Sequence, residues 1–543
     1  MHKSSRIGFP SILPSLVIEL RFASSCALLA ATLTACVTPR PSPSVSTSAA
    51  PTAASPISAP VTPSTPQPRA PLAAAATFDA AWTTIRDQHF DATLNGVDWI
   101  AVRDELRERA VAAESDEALR EVLNEMLSRL GQSHFAIIPS EAVRAKTASA
   151  AAVETVRAPA GLAPQSHASE SAATSVVAQE TPAAEPRDTP GVLGLDVVVL
   201  DSNAVVTHVA SNSPAAAEGI APGWIVETVR GISVADAIAP MQEALKNASQ
   251  TQSNETRELR YELAALASSM LRTRVDEAIR VGFLLPDGTR VVRDLRAVPA
   301  NLGTTQFGNL PPMSVEVEQA RMQWTNASAD STSVGVVRFN IWMPAASLAL
   351  DQAIDALRDC DGIVLDLRAN PGGVGAMAMG LAGHFLKKSR SLGTMSMRET
   401  TLEFKTNPRR VTSTGEVTKP YARPLAILVD GRSASTSEVF AGGMQSLKRA
   451  RVFGEVTAGM ALPAHAVELP NGDVLLHAIA NFTRPDGTVL EGIGVIPDEA
   501  VAIDLVSIRE SVSHDPVLDA ACEWISACAT EAKAPATAAV SAP

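Results

Sequence analysis

At 543 residues, 46% of them apolar, the chain can bury two or three hydrophobic cores and is too long for one ordinary domain. Its net charge of −13, with no basic patch and no aromatic-rich basic stretch, excludes a nucleic-acid partner. The 5 cysteines and 9 scattered histidines never fall into zinc-ligand spacing, so neither a metal nor an organic cofactor is expected.

In chain order, Arg21 precedes a short apolar run, Phe22 to Leu33, that ends Leu33-Thr34-Ala35-Cys36. The run is too short to span a bilayer comfortably and reads as the apolar region of an export signal. Its ending resembles a bacterial lipobox. Residues 1–36 are therefore expected to be a lipoprotein signal, with Cys36 the lipidated first residue of the mature protein and a membrane its anchor. Residues 37–75 are Pro, Ser, Thr and Ala with almost no large apolar side chains, which predicts a flexible tether.

Residues 76–140 carry helical spacing: Phe78, Trp82 and Ile85, then Trp99, Val102 and Leu106. A third helix puts Leu119, Val122, Leu123, Met126, Leu127 and Leu130 on one face, with Ser115 as N-cap and Gly131 at C′. It stops just before Ser133-His134. Residues 141–188 return to Ala, Ser, Thr, Pro and Glu and predict a disordered insertion.

Order resumes near Gly191, and 189–300 alternates short strands and turns around Gly194-Leu195-Asp196-Val197-Val198-Val199, with a helical excursion at roughly 235–280. This order resembles a PDZ domain. The resemblance implies that the backbone around Gly194 and Leu195 receives the carboxylate end of a peptide added as a strand. From 331 to 506 the pattern is α/β: strands at Val334–Phe339, Ile363–Leu367, Leu425–Val429 and near Val452, with helices after each of the first three. Hairpins turn at Asn471-Gly472 and Asp486-Gly487. Residues 507–543 read as a terminal helix and a low-complexity tail. Cys522 and Cys528 lie on different faces of that helix, so a bridge between them would require it to fray.

The chemistry centres on PLAILVDGRSASTSEVF, 424–440, a buried strand, a tight turn and a helix start rich in small hydroxyls. A serine there is exposed beside free helix N–H groups, the geometry acyl transfer needs. A lone Ser-x-Ser more often merely caps a helix. In the adjacent βα unit, Asp366-Leu367-Arg368-Ala369-Asn370-Pro371-Gly372-Gly373 opens on the same sheet edge and could supply oxyanion donors. Spacing alone assigns no partner to His134 or Glu491, and it leaves Ser433, Ser435 and Ser437 as rival nucleophiles.

The motifs GIVLDLRANPGG (362–373), SASTSEVFAGGMQ (433–445), GEVTAG (454–459) and GVIPD (494–498) resemble the C-terminal processing and tricorn-like serine peptidases. That resemblance implies an α/β fold with a crotonase/ClpP-like peptidase core, an N-terminal helical subdomain and an inserted PDZ-like domain. It implies hydrolysis of proteins or peptides in the cell envelope, without a cofactor. The processing branch uses a Ser-Lys dyad, but Met460 stands at the lysine position and cannot take a proton. The tricorn-like branch takes a histidine from the helical region and a glutamate before the Gly-Val-x-Pro-Asp segment, which Ser133-His134 and Glu491 match. It thus implies Ser435 as nucleophile, His134 as base, Glu491 and Ser133 as orienting groups, and oxyanion N–H groups from Thr436 and one of Gly372 or Gly373. Two other readings stand beside it: an inactive PDZ-type peptide-binding lipoprotein on a peptidase scaffold, and a crotonase-type acyl transferase.

Overall fold

The computed structural model describes residues 71–141, 189–248, 254–306, 312–326 and 330–533. The signal with Cys36, the tether as far as residue 70, the insertion from 142 to 188 and the last residues from 534 lie outside the described residues.

The helical unit holds α1 (Pro71–Gln88), α2 (Trp99–Val111) and α3 (Asp116–Ser128), followed by a short strand β1 (Ala136–Ile138). Helix α1 starts inside the stretch expected to be tether, because Ala74 and Phe78 already face the core. Ser115 caps α3 by accepting from Ala118 N–H. The chain then tightens through Leu130 to Gly131, whose φ of 61° suits a residue without a Cβ. Phe78, Ile85, Leu106, Leu119 and Leu123 are fully buried, each worth about 1.5–3 kcal/mol against exposure. Ile137, Leu469 and Leu475 complete their cluster, so this unit shares its core with a hairpin more than 300 residues later.

The second unit is an antiparallel sheet of β2 (Leu195–Leu200), β3 (Asn203–Val209), β4 (Ile225–Val229), β5 (Ala278–Leu284) and β6 (Arg290–Arg296), in the order β2-β3-β4-β5-β6. A one-turn helix α4 (Pro214–Ala217) is capped by Ser213. The helical excursion is the pair α5 (Val234–Ala248) and α6 (Asn254–Met270).

The third unit is a six-stranded sheet: β7 (Val317–Thr325), β8 (Ser331–Phe339), β9 (Gly362–Asp366), β10 (Leu425–Val429), β11 (Arg451–Gly454) and, after the hairpin β12 (Ala464–Glu468) and β13 (Val474–Ala478), β14 (Glu499–Ala500). All neighbours are parallel except β7, an antiparallel edge strand. Its polar, mostly exposed sequence VEQARMQWT hid it from pattern reading. Helices α7 (Ser347–Ala356), α8 (Ala376–Ala382) and α9 (Thr436–Ser446) follow β8, β9 and β10. Helix α8 is only seven residues long, since loop turns occupy both of its ends.

Strands β9 and β10 are buried at every position because both faces are covered. Ile363, Leu365, Leu425 and Ile427 face the main core, while Val364, Ala426 and Leu428 face Val517, Ala521, Cys522 and Ile525 of the last helix, α10 (Pro516–Lys533). That helix stays intact, and Cys360, Cys522 and Cys528 are free thiols.

Candidate active site

Strand β10 ends at Val429, and the turn Asp430–Ala434 delivers Ser435 to the N-terminus of α9. Ser435 has φ 54° and ψ −117°, a strained conformation for a side chain with a Cβ, costing about 1–3 kcal/mol. Its N–H holds it there, shared between Met460 O at 2.9 Å and Glu438 Oε2 at 3.0 Å. Ser435 and Glu438 form a capping box in which Ser435 Oγ only accepts, from the Glu438 N–H, so the hydroxyl proton is not spent on the cap. The rivals are spent. Ser433 Oγ donates to Leu367 O at 2.8 Å, and Ser437 Oγ donates to Asn370 O at 3.0 Å while accepting from Trp342 Nε1. Both rivals are fully buried, whereas Ser435 is partly exposed.

The glycine loop after β9 is laced to this turn. Asn370 O accepts from Ala434 N–H at 3.1 Å, and Thr436 Oγ1 donates to Gly373 O at 2.8 Å. A Cβ on Gly372 would lie 2.7 Å from Ser435 Cβ, and one on Gly373 would lie 2.3 Å from Trp342 O. With φ of 100° and 137°, the two positions need glycine on both counts. Gly372 N–H is taken by Asn370 Oδ1 at 3.0 Å. Among the described residues the N–H groups of Gly373 and Thr436 have no acceptor, and they flank the serine.

His134 reaches the site through strand pairing. β1 pairs antiparallel with β13, Ala136 opposite Leu476. Behind it, the buried Arg120 of α3 forks onto Asp473 at 2.8 and 2.9 Å, and Asp473 Oδ1 also accepts from Ser140 N–H. Glu491 closes the circuit. Its Oε1 accepts from Ser133 N–H at 2.9 Å, and its Oε2 accepts from Ser133 Oγ at 2.9 Å and Ala461 N–H at 3.0 Å. Ser133 Oγ lies 2.7 Å from His134 Nδ1.

With Glu491 ionised, the proton count sets the tautomer. Ser133 gives its one hydroxyl proton to the carboxylate, so it can only accept from His134 Nδ1–H. Nε2 is then the bare, basic nitrogen. Burial pushes the His134 imidazole down to about 4, so it is neutral at ordinary pH. Burial also raises the Glu491 carboxyl, against the lowering by the Ser133 and Ala461 N–H groups. Among the described residues no hydrogen bond joins His134 to Ser435. Their frames meet at consecutive residues, however, because Met460 O holds Ser435 and Ala461 N–H holds Glu491.

Glu438 was not singled out from the sequence. Fully buried, it accepts from Thr457 Oγ1 at 2.5 Å, Gly459 N–H at 2.8 Å, Met460 N–H at 3.0 Å and Ser435 N–H, and so shapes the loop that joins Ser435 to Ala461, the residue whose N–H holds Glu491. Burial pushes its carboxyl up to about 7 despite those donors. The Ser-x-x-Glu capping pattern, Ser435 to Glu438, was the available signal. Met460 itself packs with Tyr261 of α6, Ala434 and Ala458 in an apolar cluster. Gly194 and Leu195 lie elsewhere, lining a cavity of about 210 Å³ beside the start of β2.

The chain is similar to known proteins in two segments. Residues 333–501 match peptidase family S41, and residues 73–128 match the tricorn protease C1 domain. The chain is 30% identical over 212 residues to a carboxyl-terminal-processing protease of Synechocystis sp., covering 39% of this chain and 46% of that protein. It is 28% identical over 247 residues to a probable CtpA-like serine protease of Staphylococcus haemolyticus, covering 44% and 48%. The matches thus span less than half the length of these relatives. Among solved structures, the photosystem II D1 C-terminal processing protease aligns with a TM-score of 0.45 at 19% identity, covering 82% of this chain and 99% of that one. The tricorn protease aligns at 0.41 and 14%, covering 85% and 37%. The family S41 match thus covers the six-stranded sheet and the helices packed on it, and the tricorn C1 match covers helices α1 to α3.

Proposed function

We propose that this protein is a serine endopeptidase in which Ser435 attacks a peptide carbonyl and His134 is the general base. His134 Nε2 takes the Ser435 hydroxyl proton as the Oγ–C bond forms, and returns it to the leaving amine as the C–N bond breaks. A water, deprotonated in the same way, hydrolyses the acyl-enzyme. The Gly373 and Thr436 N–H groups hold the oxyanion, each worth about 3 kcal/mol in the transition state. Glu491, acting through the Ser133 hydroxyl, keeps His134 in the Nδ1–H tautomer and stabilises the imidazolium that forms.

The observation that carries this reading is the chain Glu491 Oε2, Ser133 Oγ, His134 Nδ1, which leaves a bare nitrogen for the proton. The open Ser435–His134 contact fits a free enzyme, where such bonds are long until substrate excludes water. The inactive-adaptor reading rested on Met460, and a base supplied from outside that loop removes its motive. Incubating wild type and Ser435→Ala with internally quenched unstructured peptides tests the proposal: wild type cleaves them and the variant does not. Cleavage by the variant at the wild-type rate would sink it.

We further read the core as crotonase/ClpP-like, supported by its parallel strands with the nucleophile at a strand-to-helix turn. The unit at 189–300 acts as a PDZ-type binder of peptide C-termini. In support, Gly194 and Leu195 line a cavity beside β2, an edge strand with α6 running next to it. The substrates are proteins or peptides of the cell envelope, and the chain is held by lipid at Cys36 on a bacterial membrane facing the periplasm. Radiolabelled palmitate incorporated by wild type but not by Cys36→Ser tests the anchor.

A further inference from the structure

Three histidines are wholly buried among the described residues: His89, His384 and His477. The first two use both ring nitrogens. His89 meets Asp91 O and Gln132 Oε1, each at 2.9 Å, and His384 meets Asp351 Oδ1 at 2.8 Å and Arg358 Nη2 at 3.4 Å. His477 differs. Both of its nitrogens are shut off from solvent without a hydrogen-bond partner among the described residues, although the Ala478 backbone lies close. Buried polar groups are nearly always paired, so a ring left in this way has two lone positions to offer a ligand.

A second free ring faces it. Strands β12 and β13 are antiparallel, and His465 stands directly opposite His477. Side chains opposite each other leave the sheet on the same face, and the two rings lie 6.1 Å apart between centroids, at 75°. His465 is exposed and makes no hydrogen bond or ion pair among the described residues. Two imidazoles bound to one ion at about 2.0–2.1 Å have centroids about 5–6 Å apart, so the pair is close to chelating geometry as it stands. The exposed ring gives an ion its entry, and the buried ring fixes it. Turning either ring breaks no hydrogen bond. Desolvation disfavours the charged form of His477, and the neutral ring is the one that binds metal. Among the described residues no third His, Cys, Asp or Glu converges with the pair, which leaves the remaining coordination to water. The two histidines are twelve residues apart, a spacing that matches no zinc motif, so the hairpin register alone brings them together.

We propose that His465 and His477 form a binding site for a divalent transition ion of zinc type, and that the ion clips β12 to β13. Imidazole suits zinc, copper and nickel, whereas magnesium and calcium take oxygen ligands. The clip falls where the two strands frame His134. Leu476 of β13 receives Ala136 of β1, and His134 lies two residues before Ala136. Strand β12 begins three residues after Ala461, whose N–H holds Glu491. An ion across the pair therefore joins the strand on which β1 docks to the strand that leads away from the Glu491 contact. Its role is restraint of the hairpin, and no step of cleavage runs through it.

The test titrates the full chain carrying Ser435→Ala, free of any purification tag, with Zn²⁺ alone by calorimetry. One equivalent is expected to bind with a dissociation constant on the order of 1–100 µM, weaker than a four-ligand site because only two protein ligands take part. His465→Ala, at an exposed position, and His477→Phe, which keeps a flat ring in the core, are each expected to weaken binding about tenfold or more. Hydrogen exchange of the amides at 464–468 and 474–478 is expected to slow about fivefold or more in saturating Zn²⁺, and to be unchanged by Zn²⁺ in His465→Ala. Mg²⁺ at the same concentration is expected to leave those amides unchanged. Zinc binding of undiminished strength in His465→Ala overturns the site, and so does the absence of any saturable equivalent. An equal response to Mg²⁺ overturns the assignment to a transition ion. If His477→Phe does not fold, the exposed His465→Ala decides alone. None of these readouts needs turnover, so a failure of the peptidase reading shows separately, in the cleavage assay.

Discussion

The two halves of the site are built in opposite ways. Ser435 and the glycine loop leave two adjacent parallel strands, and a few short hydrogen bonds through Asn370 and Thr436 lock them together. His134 comes from a different unit, and Ser133 is joined to Glu491 across 358 residues of chain. The half that carries the proposed nucleophile is therefore preorganised by one sheet. The half that carries the proposed base depends on docking, through the β1–β13 pairing and the buried Arg120–Asp473 pair. A site of this kind can keep an intact nucleophile while losing its base.

The predictions probe that difference, from the largest effect to the smallest. Ser435→Ala and His134→Ala each lower kcat by about 10⁴-fold or more, with unchanged far-ultraviolet circular dichroism. Glu491→Gln lowers kcat by about 10²–10⁴-fold, because an amide can donate to Ser133 Oγ and turn the hydroxyl proton toward His134 Nδ1. Gly372→Ala damages the nucleophile half alone, by about 10²-fold in kcat, since its Cβ would meet Ser435 Cβ at 2.7 Å. Arg120→Met damages the base half alone. It strands the buried Asp473 charge and costs about 3–5 kcal/mol of stability in urea titrations.

The pH profile gives the smallest effect. On the proposed mechanism the base works only when neutral, and desolvation holds His134 near 4, below the ordinary 6.5. Activity is therefore retained through pH 6 and lost as pH falls through about 5 to 4. The raised Glu491 carboxyl protonates in the same direction, so that limb reports the coupled pair. An acid limb in kcat/KM centred at 6.5 would contradict a His134 kept neutral by desolvation.

The nucleophile half was legible because it is local: the Leu425–Val429 run, the Asp430-Gly431 turn and the helix period lie within twenty residues, and the strand appears with those bounds. Helix α3 and its Ser115 cap were legible for the same reason. The convergence of Ser133, His134 and Glu491 had no local signal, and only a family resemblance pointed to it. The choice among Ser433, Ser435 and Ser437 was likewise closed to pattern reading. It depends on which hydroxyl finds a backbone acceptor, as Leu367 O and Asn370 O provide for the two rivals. Glu438 escaped notice because a charged residue in a helix start reads as solvated until its burial is known.

The most direct test is the rate at which a fluorophosphonate labels Ser435 in wild type and in His134→Ala. A base acting at Nε2 predicts labelling of Ser435 in wild type and a rate about 10³-fold lower in the variant. Labelling that proceeds equally fast without the imidazole would show that the base of Ser435 lies elsewhere.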